Sequence, residues 1–169
     1  MITSRTLRAA IVAAFMGLGA IFAQAQSTQT WLMLRESSQE TFFVTDRVEQ
    51  DRLLKTGWKI GGTGYLLAQP KAGSVGMVRF AKGFSGGGDR IFATSPAQEA
   101  EATKAGYAKE GLMGQVSLTQ ATQEMIPVYH FIKDSRNLWL IDKADQKWAE
   151  KSGWKSQGVA FWLWSKASS

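Results

Sequence analysis

The side chains able to do chemistry are few and scattered. His130 is the single histidine and there is no cysteine, so neither a multi-histidine nor a thiolate metal site can be assembled. His130 lies in an apolar, strand-like stretch, VYHFI, where a satisfied structural imidazole is expected in place of a catalytic base. Serines are plentiful, but no G-x-S-x-G elbow presents one as a nucleophile. The runs Gly61-Gly62-Thr63-Gly64 and Gly86-Gly87-Gly88 are not phosphate loops. The first follows a helical stretch instead of opening one, and the second lacks the lysine–serine/threonine ending. Asp89, Glu99 and Glu110 are the carboxylates that could pair as acid and base, yet no spacing fixes their separation. Asp89 and Glu110 with Arg79 read instead as a polar network. This inventory implies no catalytic residue, no metal site, no cofactor and no enzyme.

The elements that would position these groups recur. Ser95–Gly111 (SPAQEAEATKAGYAKEG) reads as cap, short helix, glycine stop, aromatic and second glycine, and so do Asp46–Gly62 and Asp142–Gly158. Gly57, Gly106 and Gly153 correspond, as do Gly62, Gly111 and Gly158. Asp46, Ser95 and Asp142 are the N-caps; Glu49 and Gln98 complete capping boxes, with Asp145 a near variant. The predicted helices are ~15 Å long and must be held by packing. Their inward sides are read as Val48, Ala97 and Ala144, then Leu53, Ala102 and Ala149. Trp58, Tyr107 and Trp154, just past the glycine stops, are expected to pack back on the last helical turn. Two apolar runs before each helix and one after it read as strands.

The expected fold is therefore α+β and strand-rich, with three strand–strand–helix–strand repeats at about 29–74, 75–124 and 125–169. One such unit cannot bury its apolar face alone, so the copies share a core. The arrangement expected is closed, with pseudo-threefold, trefoil-like symmetry that protects strand edges. An open three-repeat array is the alternative.

Residues 1–25 read as a signal peptide. Arg5 and Arg8 precede an apolar run at Ala9–Phe22, and Ala23-Gln24-Ala25 supplies the small-x-small cleavage signal, with the cut between Ala25 and Gln26. Residues 26–169 are then a single domain in the periplasm or outside the cell, with no stable membrane insertion. Removal of Arg5 and Arg8 lowers the formal charge from +6 to +4, and the remaining basic residues are interspersed with acidic ones. No clustered basic face is present for nucleic acid.

The second repeat carries a resemblance. Arg79-Phe80, Gly88-Asp89, Phe92, Thr94-Ser95, Glu99, Gly106-Tyr107 and Glu110-Gly111 follow the pattern PxYRxY…GDHxYTxS…(A)E…GY…EGIAG. The chain thus resembles the exported bacterial and fungal repeat domain of unknown function across Gln29–Lys166. The third repeat keeps Pro127-Val128-Tyr129 but has His130 at the arginine position and Asn137 at the histidine position. The resemblance implies an accessory or binding module and no reaction.

Binding residues are sought where the copies disagree. Trp31, Trp58, Trp139 and Trp154 occupy positions that are apolar in every copy and are expected in the core. Trp148, Trp162 and Trp164 align with polar residues of other copies and are the candidates for an aromatic patch, joined by Arg79, Gly87 and Asp89. The expected function is a non-catalytic exported binding module for carbohydrate or cell-envelope glycan. The alternative is a protein-interaction module, an inhibitor or immunity-type partner of an exported protein.

Overall fold

The structure, a computed structural model, describes residues 27–83 and 88–167. The expected signal peptide and Gly87 lie outside them. The elements run β1 (Ser27–Arg35), β2 (Glu40–Val44), α1 (Arg47–Lys55), β3 (Lys59–Leu67), β4 (Ser74–Lys82), β5 (Asp89–Ala93), α2 (Pro96–Lys104), β6 (Ala108–Ser117), β7 (Ile126–Lys133), β8 (Arg136–Leu140), α3 (Lys143–Lys151) and β9 (Lys155–Leu163). No helix among the described residues is long and apolar enough to cross a membrane.

Local chemistry sets these boundaries. Asp46, Ser95 and Asp142 accept from the backbone N–H of Glu49, Gln98 and Ala144, so each helix starts on a side-chain cap. Each also stops alike. The N–H groups of Trp58, Tyr107 and Trp154 bond back to the carbonyls of Leu53, Ala102 and Ala149, while those of Gly57, Gly106 and Gly153 bond to Leu54, Thr103 and Glu150. That pair of bonds is a Schellman motif, and its left-handed residue is glycine at φ +86°, +85° and +83°. The β7–β8 turn places Asp134 and Ser135 at φ 50° and 60°, as a two-residue type I′ turn requires.

Leu53, Ala102 and Ala149 are buried as the periodicity implies, but Val48 is 77% exposed and Ala97 and Ala144 also face solvent. Val48 lies five residues before Leu53, about 140° away around a helix. The face that carries Leu53 takes Gln50 instead, which is buried.

The expected trefoil-like closure is corrected. The strands form one nine-stranded antiparallel sheet in the order β2-β1-β3-β6-β9-β7-β8, with β4 and β5 branching from β6. The reason lies in the edges of β3, β6 and β9, each of which pairs with its hairpin strand along one side and leaves the backbone groups of its other side to be met elsewhere. Their far ends carry backbone groups that must find partners, and they find each other through Leu67↔Gln115 and Ser117↔Trp162. A further bridge joins Tyr65 to Trp164.

One apolar cluster draws on all three helix-bearing segments, including Met33, Phe43, Leu66, Phe92, Val116, Trp139 and Phe161. Phe92 makes edge contacts with Phe43, Trp139 and Phe161 at centroid separations of 5.7, 4.9 and 6.2 Å. Each such ring contributes ~1.5–3 kcal/mol by burial, and each aromatic pair ~0.5–1.5 kcal/mol more. Trp31, Trp58, Trp139 and Trp154 are all buried, as their alignment requires.

Candidate functional site

Three grooves lie where a helix meets neighbouring strands, and each is built from the same three places in the chain. One is the third residue of a helix: Glu49, Gln98 or Asp145. Another is the strand residue in register with a core aromatic: Arg79 opposite Phe92, His130 opposite Trp139, and Leu32 opposite Phe43. The last precedes the glycine paired with that strand residue: Glu110, Gln157 or Gly61. The register shifts beside these glycines mark β-bulges, which bend the strand around the groove.

In the first groove, Glu49, Arg79 and Glu110 meet. Arg79 Nη1 lies 3.0 Å from Glu49 Oε2, and its Nε lies 2.7 Å from Glu110 Oε2. Arg79 Nη1 also donates to the Phe43 carbonyl at 3.2 Å. The Arg79 side chain is only 14% exposed, so the groove is filled by its own ion pairs, with about 130 Å³ left open. This arginine is structural.

The second groove is a cleft of about 720 Å³ between β5–α2 and β7–β9. Its corresponding residues Gln98, His130 and Gln157 are neutral polar groups. His130 stacks on Trp139 at 4.2 Å with the rings 6° from parallel. Its Nε2 lies 2.7 Å from Asn137 Oδ1. Asn137 donates from Nδ2 to Asp89 Oδ2 at 2.6 Å and to the Tyr107 hydroxyl at 3.1 Å, so its Oδ1 is the acceptor and Nε2–H the donor. Nδ1 has no protein partner among the described residues. Burial pulls the His130 pKa below its ordinary value, against the Asn137 hydrogen bond and the Asp89 charge, which raise it. The imidazole is therefore neutral near pH 7. Burial also pushes the Tyr107 phenol up, helped by its hydrogen bond to Asp89 and that carboxylate's charge. Asp89 accepts from Tyr107 and twice from Asn137. The floor is apolar, with Phe92, Ala102 and Phe161.

The third groove, about 480 Å³, runs between β1 and α3, with Leu32, Leu34, Leu140, Asp145 and Trp148 in its lining.

The sequence-predicted residues are thus divided among separate places. Asp89 stands behind the second groove, bonded to its lining residues Asn137 and Tyr107, and itself lines a separate opening of about 200 Å³ with Arg90 and Arg136. Arg79 belongs to the first groove and Trp148, 41% exposed, to the third. Trp162 and Trp164 are half-buried where the far end of β9 meets its neighbours: Trp162 is in register with Ser117 and Pro127, and Trp164 bridges Tyr65. Arg79 and Asp89 do not form one network. His130, Asn137, Tyr107, Gln98 and Gln157 line the second groove and were not among the candidates. The signal that finds them is the double departure of His130 and Asn137 from the motif PxYRxY…GDHxYTxS, at its arginine and histidine positions, two places that the structure brings into contact. Among the described residues no three His, Asp or Glu side chains gather to hold a metal ion, and Glu99 is paired with Lys109 at 2.6 Å.

No curated protein and no solved structure matches the chain. The family described as Domain of unknown function (DUF5648) has a model that matches residues 29–164. That match runs from the third residue of β1 to the bridge at Trp164, taking in all three grooves, and the chain belongs to this family.

Proposed function

We propose that this chain is an exported, non-catalytic binding module whose second groove takes a carbohydrate or cell-envelope glycan. The carrying observation is the chemistry of that cleft: the uncharged polar side chains of Gln98, His130, Ser135, Asn137 and Gln157 stand around an apolar floor. Lys82 and the exposed Glu101 are the charged residues of its lining, and the Asp89 carboxylate behind it is taken up by three hydrogen bonds. Sugar hydroxyls both donate and accept, which suits the Gln157 amide, the Ser135 hydroxyl and the amide nitrogen of Gln98, whose oxygen is held by Thr94. Their C–H faces suit the apolar floor. A volume of about 720 Å³ lies in the range of small-ligand sites. Lys82, on the rim, is occupied with the Ala105 carbonyl at 3.0 Å. The same arrangement supports binding without catalysis, because Asp89 and the His130 Nε2 are committed to neighbours. The spaced caps and glycines support a domain of three sequence copies, and residues 1–25 support export into the periplasm or beyond.

Intrinsic tryptophan fluorescence, titrated with peptidoglycan fragments and polysaccharides, tests this reading. Trp139 stands in the cleft wall, so a saturable shift is expected and should be lost in Gln157→Ala, an exposed position that leaves the core alone. A folded protein that shifts with none of these glycans sinks the proposal. The competing reading, a protein-interaction module, is favoured by a different observation, the exposed Trp148 in the third groove.

A further inference from the structure

The third groove is the first groove without its internal cation. In the first, the helix residue Glu49 and the pre-glycine residue Glu110 hold Arg79 between them at 3.0 and 2.7 Å. In the third, the helix residue is again an acid, Asp145, but Leu32 takes the register place of Arg79 and Gly61 that of Glu110. The result is an opening of about 480 Å³ where the first groove has about 130 Å³. Asp145 is exposed and has neither ion pair nor hydrogen-bonded donor to its side chain among the described residues. The second groove shows that the acid and its cation go together, because there all three corresponding residues are neutral.

We propose that the third groove takes the arginine side chain of a partner polypeptide, which stands where Arg79 stands in the first. Charge complementarity is the first argument: an acid that its counterpart position neutralises internally is here left for an external cation. The walls supply the second. Leu32, Leu34 and Leu140 match a methylene stem, and Trp148 follows Asp145 by three residues, hence on the same helix face. An aromatic face attracts a guanidinium within ~6 Å of its centroid. This molecule uses that contact repeatedly: Arg35 lies over Trp58, Arg47 over Trp31 and Arg136 over Trp154, at 5.9, 5.6 and 5.7 Å. Trp148, the tryptophan among its exposed large apolar residues, has no such cation among the described residues. Arginine is preferred to lysine because a guanidinium is more weakly hydrated and stacks on rings. Glu36, at the same groove, is already paired with Lys59 at 2.9 Å, so Asp145 is the charge that recognises.

The test uses Nα-acetyl-arginine N-methylamide, its isosteric neutral citrulline analogue and the lysine analogue. All three are titrated at low ionic strength into the folded chain and followed by the indole N–H signal of Trp148, identified by its loss in Trp148→Phe. The arginine probe should shift that signal to saturation, at least tenfold more tightly than citrulline and more tightly than lysine. Asp145→Asn should weaken it at least fivefold. Gly61→Glu should tighten it by restoring the carboxylate that Glu110 supplies to Arg79. A side chain there is accommodated, since a Cβ would meet Leu34 Cβ at 3.5 Å and the Leu32 carbonyl at 3.6 Å. Equal binding of arginine and citrulline, tighter binding of lysine, or indifference to both substitutions overturns the proposal. The glycan titration reads a different groove, so the two proposals fail separately.

Discussion

Asp89 at the start of β5 accepts two hydrogen bonds from one residue, Asn137 of β8, from its backbone N–H at 2.9 Å and its Nδ2 at 2.6 Å. This clamp joins two hairpins whose strands are not paired with each other in the sheet, and Tyr107 adds a third donor to the same carboxylate. Asp89→Ala would leave three partly buried donors without it. Hydrogen bonds to a charged group are worth ~1.5–3 kcal/mol each, but the donors partly recover through water, so a net loss of ~2–4 kcal/mol is expected. Urea unfolding of Asp89→Ala measures it. A loss within about 0.5 kcal/mol of zero, the range of ordinary surface substitutions, removes the clamp from the account.

His130 gives the cleft an acid limb. Its folded pKa lies below the ordinary ~6.5, chiefly because burial disfavours the imidazolium. The unfolded state then binds the proton more readily. The contribution to stability is full above ~6.5 and is lost as pH falls through the lowered folded value. Urea midpoints from pH 7.5 to 5 should fall more steeply for the native chain than for His130→Gln, which cannot titrate. The carboxylates contribute alike to both, so parallel curves would show that burial does not perturb the imidazole.

Tyr107 gives the opposite limb. Its phenol is raised by burial first and by Asp89 next, so its contribution is present below the unfolded value of ~10 and declines as pH rises through the folded one. Between pH 9 and 11 the native chain should lose stability that Tyr107→Phe does not lose. Identical alkaline limbs would contradict this.

What was legible in the sequence was local. Asp46, Ser95 and Asp142 announce their helices because a cap needs only a side-chain oxygen and an N–H three residues away, or two in the case of Asp142. Gly57, Gly106 and Gly153 announce the stops because a positive φ is cheap only for glycine. Val48 was misjudged by phase in a helix too short for periodicity to correct the error. The trefoil-like closure failed for a different reason. Caps, glycine stops and apolar runs constrain one strand–helix–strand stretch at a time, whereas the joints between β3, β6 and β9 rest on single residue pairs such as Leu67↔Gln115. The grooves were hardest to see because each takes its residues from three separated places. Leu32, Gly61 and Asp145 carry no local sign that they share one opening. Even so, His130 and Asn137 departed from the pattern together, and they turn out to touch.

The Arg79 cluster should dominate the measurable electrostatics. Its side chain and that of Glu49 are 14% and 16% exposed, whereas Lys59 and Glu36 are each 65% exposed. Removing one partner of a buried pair strands the other charge and costs ~3–5 kcal/mol; the exposed pair is worth ~0–1 kcal/mol. Arg79→Ala should therefore lower the urea midpoint strongly and Lys59→Ala hardly at all. The Lys59 effect should vanish in 0.5 M salt while that of Arg79 persists. Equal effects would mean that water reaches the Arg79 cluster freely.

Gly106 and Gly114 separate two costs that are usually mixed. Both have positive φ, +85° and +151°. A Cβ on Gly106 would meet only the end of the Lys82 side chain, at 3.8 Å. Gly106→Ala therefore isolates backbone strain, ~1–2 kcal/mol. At Gly114 the same methyl would lie 2.8 Å from Leu66 Cβ and 3.0 Å from the Leu67 carbonyl. Neither atom can swing away, because both belong to β3 where it meets β6. Relief requires the two strands to part at their single residue pair. Gly114→Ala should thus cost at least ~2 kcal/mol more than Gly106→Ala, in line with overpacking of a filled interior. It should also raise hydrogen exchange at Leu67 and Gln115, which Gly106→Ala should leave unchanged. Equal losses would show that β3 and β6 yield without penalty.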